Sequence, residues 1–295
     1  MADTTGMFVQ FPHPGGEHAP PSEDMPWNVA DHRRKFLVAL GEHVDGDGPV
    51  RDAELMFWGE WEPPSRIERR WPTDGRFPRV LHRPYWIRPQ GSGFRQNTDP
   101  WVFGDRMIYS NCKQIVGPQR RATSMQRLPR GSIICFGSTI AGEFCVDTVF
   151  VVASAEPWVP AEEADLDVGE AFKACTGDVI TRATTDMELS LTLYRGATVD
   201  EPVEGIYSFV PARCADHDQP RFARPPVHLP GLVNPASRQS TWGSKRPLPM
   251  ERLRDAWEAL CHQVLAADLV LATRLQTPDG DTDEGIVPET ARQRC

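Results

Sequence analysis

The stretch GSIICFGSTIAGEFCVDTVFVVA, residues 131–153, decides the fold class. Its two halves, GSIICFGS (131–138) and EFCVDTVFVVA (143–153), are dense in isoleucine, valine and phenylalanine, and the turn TIAG between them carries a glycine. β-Branched and aromatic side chains pack well on a pleated surface, so two such runs joined by a short glycine-containing turn predict a β-hairpin.

Outward from the hairpin, MFVQF (7–11), LMFWGEWE (55–62), WVFGDRMIY (101–109), MELSLTLYRG (187–196) and GIYSFVPA (205–212) predict further strands. His32, Phe36 and Leu40 recur at spacing four, which predicts a helix over 29–40. Leu253, Trp257, Leu260, Val264, Leu265 and Leu269 form an apolar stripe at helical spacing, so residues 249–275 predict a long helix packed on the sheet. The chain has 28 prolines beside 23 glycines, and residues 65–100 are rich in Arg, Pro and Trp without periodicity, which predicts long ordered loops. The expected architecture is therefore α+β: a central mixed or antiparallel barrel-like sheet, long Pro-rich loops and a C-terminal packing helix. Residues 1–275 read as one domain with a sub-boundary in the acidic stretch 156–170, and 276–295 as a mobile polar tail.

No run approaches the roughly 20 apolar residues of a membrane span, and residues 1–10 show no secretory pattern. Seven cysteines without a CxxC spacing read as reduced thiols. A cytoplasmic location without a membrane partner is expected.

The net charge of −9 hides an asymmetry. Residues 63–142 hold 14 Lys plus Arg against 4 Asp plus Glu, and 13 of the 14 are arginine. Guanidinium forks match phosphate bidentately and stack on aromatic faces. With Trp58, Trp61, Trp71, Trp86 and Trp101 beside them, this stretch predicts a pocket for a nucleotide or nucleic acid. Trp58 and Trp61 are expected to offer stacking faces. Arg83, Arg95, Arg106, Lys113, Arg120 and Arg121 are expected on phosphate, and Asn97, Asp99, Asn111 and Gln114 supply polar groups for a base edge.

Residues 95–153 resemble the PUA/ASCH-like small β-barrels, through LPRGSIICFGS, a strand entered by a glycine turn, and the EFCVDTVFVV strand after it. The resemblance implies a cleft beside the barrel that holds RNA or a flipped or modified base. Ser132 stands where the family has an acidic residue, and the GxKxxExR signature is absent. LTLYRG and YSF resemble the Arg and Ser-Thr-Ser pieces of ADP-ribosyltransferases, without the ExE piece, and make Arg195 an anion contact. Walker A, GxGxxG and GxSxG motifs are absent.

Two further sets carry chemistry. Glu60 and Glu62 in WGEWEPPS, at spacing two, are candidate acid–base or metal-binding carboxylates. His13, Glu17 and His18 in HPGGEH offer imidazoles suited to a divalent transition metal, although the loop sequence differs from a helical HExxH. They lead to two alternatives to ligand recognition: a metal-assisted hydrolase using His13, His18 and Glu60, and an interaction module whose arginines dock an acidic partner.

Overall fold

The computed structural model describes residues 5–13, 15–23, 28, 32–46, 48–88, 97–117, 119–160, 166–184, 189–237 and 242–280. It is mostly β-structure with a C-terminal helix, the α+β class that the strand-rich pattern predicts.

The hairpin forms as Ile133–Ile140 paired antiparallel with Glu143–Trp158. Its turn is tighter than the four residues expected. Ile140 pairs directly with Glu143, and Ala141 and Gly142 both hold positive φ (51° and 85°), the backbone that a two-residue hairpin loop requires. Around it lies a six-stranded sheet in the order Trp242–Gly243, Phe8–Pro12, Ile133–Ile140, Glu143–Trp158, Leu191–Gly196, Ile108–Tyr109. Phe8–Pro12 runs parallel to Ile133–Ile140, and so the chain's first long strand lies against a strand 125 residues later.

The second sheet closes on itself. Arg34–Val44 pairs with Arg51–Glu60, Arg51–Glu60 with Val210–Cys214, Val210–Cys214 with Val270–Leu275, and Val270–Leu275 returns to Arg34–Val44. A closed four-stranded barrel results, extended on one side by Val80–Trp86, with Ser65–Arg70 and Asp279–Gly280 beside it. Side-chain alternation fills both sides of the barrel strands. Leu37, Ala39, Leu55 and Phe57 enter one buried cluster, and Phe36, Val38, Met56 and Trp58 enter the other.

Four expectations are corrected. The helix predicted over 29–40 is the strand Arg34–Val44, because spacing four is also twice the strand period; residues 29–31 lie outside the described residues. The loop predicted over 65–100 contains the strands Ser65–Arg70 and Val80–Trp86. The final helix covers only Met250–Ala266, and the apolar run after it turns at Asp268 (φ 59°) into the strand Val270–Leu275. Gln276 to Gly280, read as the start of a tail, is held by the Gln276 N–H donating to Leu40 C=O and by Asp279–Gly280 pairing with Tyr85 and Trp86.

A helix across residues 170–184, with a π-type turn at Lys173–Gly177, follows the acidic stretch. It buries Phe172, Cys175 and Ile180 in the first cluster. Among the described residues no helix is long and apolar enough to cross a membrane, and six cysteines are free thiols.

Candidate functional site

At one end of the barrel hairpin, Arg34 is the cross-strand partner of Glu60. Both side chains point to the same side as Phe36 and Trp58, which carries two opposite charges into an otherwise apolar interior. Arg34 Nη1 lies 3.1 Å from Glu60 Oε2, and Nε donates to Asp147 Oδ2 at 2.8 Å.

Asp147 arrives there through an irregularity of the long hairpin. Phe136 pairs with Thr148 and Gly137 with Val146, leaving Asp147 as the extra residue of a β-bulge. Gly137 permits the bulge, since a Cβ there would stand 2.1 Å from the Cys145 carbonyl oxygen. Arg224 closes the network, 3.7 Å from Asp147 Oδ2, donating to Ser138 Oγ at 3.0 Å and to Gly15 C=O at 2.6 Å while its guanidinium covers the Trp58 ring.

His13, one residue past the strand Phe8–Pro12, is fixed by its N–H donating to Gly137 C=O and by Ser138 Oγ donating to its carbonyl. Its Nδ1 is 2.8 Å from Glu60 Oε2. Neither Glu60 oxygen, nor His13 Nδ1, nor Arg34 Nη1 has a neighbour in hydrogen-bond alignment, although all are buried. These groups meet at ion-pair distance and off axis, an arrangement that leaves buried acceptor capacity unused.

The unused capacity faces His32. His32 Nδ1 is 2.7 Å from Glu62 Oε1 and 3.6 Å from Glu60 Oε1. Each carboxylate is steadied through its other oxygen: Glu60 Oε2 by Arg34 and His13, Glu62 Oε2 by the Asn97 N–H at 2.8 Å. His32, Glu60 and Glu62 thus present three ligand atoms within 4.8 Å of one another. Side-chain exposure falls from 48% at His32 to 9% at Glu62 and 2% at Glu60, so the group opens to solvent on the histidine side. Burial pushes the Glu60 carboxyl up, but the charges of His13 and Arg34 outweigh it and hold the group at about 2. The hydrogen bond to Glu62 raises His32 above the usual imidazole value.

The wall beside Glu62 is the turn 110–114. Asn97 and Asn111 exchange amide hydrogen bonds of 2.9 and 3.1 Å. Asp99 lies beneath them and accepts the backbone N–H groups of Ser110, Asn111 and Cys112 at 2.8, 3.0 and 2.6 Å. Burial, the largest influence, lifts the Asp99 carboxyl to about 6 in spite of those donors. Lys113 donates to Pro12 C=O and sits 4.1 Å from the Phe11 ring centroid, with burial lowering its ammonium to about 8.

Of the residues singled out in the sequence, the structure brings together His13, Glu60, Glu62, Asn97, Asn111 and Lys113. Asp99 and Gln114 are adjacent but committed to backbone: Gln114 bridges Ser110 and Thr192 from a fully buried position. Glu17 and His18 do not join the histidines. Glu17 accepts the Arg79 and Val80 N–H groups, and the His18 ring packs 5.9 Å from His82. Among the described residues the Arg/Trp pocket does not assemble. Trp58 and Trp61 are core residues whose indole N–H groups donate to Phe222 and Pro64 carbonyls. Arg83 pairs with Glu54 and Glu68, Arg106 with Glu201, and Arg195 with Glu156. Arg120 and Arg121 stand exposed on a small hairpin, and Arg95 lies outside the described residues.

His32, Arg34, Asp147 and Arg224 were missed. Reading 29–40 as a strand would have exposed two matching period-two pairs, His32 with Arg34 and Glu60 with Glu62. Comparison with protein-family models, with curated proteins and with solved structures finds no match to this chain.

Proposed function

We propose that the protein is a metal-assisted hydrolase in which His32, Glu60 and Glu62 hold a divalent ion. The observation that carries this reading is the buried Glu60 Oε1. It makes no hydrogen bond and faces an imidazole nitrogen and a second carboxylate, while the far oxygens of both carboxylates are engaged elsewhere. Donors about 2.1 Å from one ion stand roughly 3.0–3.4 Å apart when adjacent, and the 2.7 and 3.6 Å separations here bracket that range. His13 and Arg34 act on Glu60 as orienting partners, and Asn97 does so on Glu62. An ion held by three protein donors keeps positions for water and substrate, and lowers the pKa of its water toward about 7.

Calorimetric titration with Mn2+ or Zn2+ is expected to show one ion per chain. His32→Ala, a change at the exposed rim, should weaken binding by more than about 100-fold without lowering thermal stability; Glu60→Gln should weaken binding as much but at a cost in stability, because it also removes the buried partner of Arg34. Absence of any binding heat, or equal affinity in His32→Ala, would exclude the metal reading.

A separate observation favours recognition of a nucleotide or nucleic acid. Residues 107–142 contain Lys113, Arg120, Arg121, Arg127 and Arg130 and no carboxylate. The four arginines are exposed and, among the described residues, enter no ion pair. They belong to the arginine-rich stretch and fall within the segment that resembles the PUA/ASCH-like barrels.

A further inference from the structure

The small hairpin Ile115–Val116 and Arg121–Ala122 grows directly from the wall of the His32–Glu60–Glu62 group. Its base is tied to Lys113 and Gln114, with Thr123 Oγ1 donating to Lys113 C=O at 2.7 Å and Thr123 N–H to Gln114 C=O at 2.9 Å. Two residues earlier, Asn111 is bonded to Asn97, whose N–H holds Glu62. One short stretch of chain therefore connects the carboxylate group to Arg120 and Arg121. Val116, the cross-strand partner of Arg121, lies three residues on from Lys113, so the two are at most about 11 Å apart along the chain. Arg120 holds φ 49° at the tip, and Arg127 and Arg130, in the next turns of the chain, are exposed as well.

Charge balance at the buried group points the same way. Arg34, Arg224 and Lys113 face Glu60, Glu62, Asp147 and Asp99. A divalent ion added to that set leaves it net positive, a state that an anionic reacting group neutralises.

We infer that the substrate is a single-stranded nucleic acid, its backbone led along Arg120, Arg121, Arg127 and Arg130 to a phosphodiester at His32, Glu60 and Glu62. The inference rests on the metal-hydrolase reading and names its substrate class. Four separate guanidinium forks exceed what one mononucleotide phosphate engages, and arginine suits phosphate better than a carboxylate-bearing peptide needs. The strand is single because the reacting group must pass His32 to approach the recessed Glu60; a flexible strand can turn its phosphate inward, and a duplex backbone cannot. Hydrolysis is balanced by water alone. Its oxygen bonds to phosphorus, the P–O bond to one sugar oxygen breaks, one water proton ends on the departing oxygen and the other stays on the new phosphate monoester or passes to solvent.

The test is fluorescence anisotropy with a labelled oligothymidylate across a range of salt, run beside manganese titration of the same preparations. Arg120→Glu/Arg121→Glu is expected to lose at least tenfold in strand affinity. It should flatten the slope of log affinity against log salt by about 1.4, since each lost phosphate contact on a single strand removes roughly 0.7. Manganese binding should be unchanged in that variant. Wild-type protein without added manganese should still bind the strand, so a failed metal site and a failed strand path give different results. Unchanged strand affinity in the double variant overturns the inference. So does tighter binding of poly-glutamate than of the oligonucleotide, which would assign the arginines to an acidic protein partner.

Discussion

Arg34→Met is expected to lower the unfolding free energy by about 3–5 kcal/mol, one of the two largest effects this structure implies. Arg34 is buried between Glu60 and Asp147, whose oxygens lie at 3.1 and 2.8 Å. Replacing it leaves two carboxylates in an apolar interior with reduced compensation: Arg224 is 3.7 Å from Asp147, and His13 alone remains beside the Glu60 oxygen that Arg34 had faced. The Asp147→Asn variant should also destabilise, but the Arg34→Met/Asp147→Asn double variant should cost less than the sum, because removing the second charge relieves the penalty created by removing the first. Urea denaturation of the four chains supplies the cycle. An additive result, or a loss under about 1 kcal/mol for Arg34→Met, would show that the ion pairs are not the support of this end of the barrel.

Such a network explains why the fold was easier to read than the site. The hairpin at 131–153 was legible because its residues have one preferred environment: continuous β-branched and aromatic runs, with a glycine at the turn. Barrel closure was not legible, because the strand Val270–Leu275 continues the apolar pattern of the helix before it, and only Asp268 in a left-handed conformation separates them. The helix expected over 29–40 shows the same degeneracy in another form. His32, Phe36 and Leu40 share a helical face at spacing four and a strand face at twice spacing two.

Charge was misleading for a different reason. Arg79, Arg83, Arg88 and Arg106 meet carboxylates at Glu17, Glu54, Glu170 and Glu201, all outside residues 63–142. A local count of +10 cannot contain those partners. The site itself depends on a bulge at Asp147, a feature with no signature in the alternation of residues around it, and on His32, which its spacing with Phe36 and Leu40 assigned to the packed face of a helix.

Stability should also fall steeply on the acid side, and the cause is a histidine away from the proposed metal. His82 is buried between Ser65 and His18: Nε2 lies 3.3 Å from the His18 carbonyl and Nδ1 lies 3.0 Å from Ser65 Oγ. Since a carbonyl only accepts, Nε2 carries the proton and Nδ1 accepts from the serine, which fixes the neutral tautomer. Burial, reinforced by the nearby Lys35, lowers the imidazole to about 2. The folded chain therefore leaves His82 unprotonated over a range in which the unfolded chain, with an ordinary value near 6.5, takes up a proton. The contribution is complete above pH 6.5 and is lost as the pH falls toward 2, at about 1.4 kcal/mol per unit. Between pH 6.5 and pH 4.5 that amounts to about 2 kcal/mol from this residue alone. His82→Asn keeps a side chain able to donate and accept, and should flatten this part of the profile while lowering stability at pH 7 for lost packing. Urea unfolding at half-unit pH steps decides the point: if wild type and His82→Asn decline in parallel below pH 6.5, the acid sensitivity belongs to other groups and His82 is not the residue that titrates on unfolding.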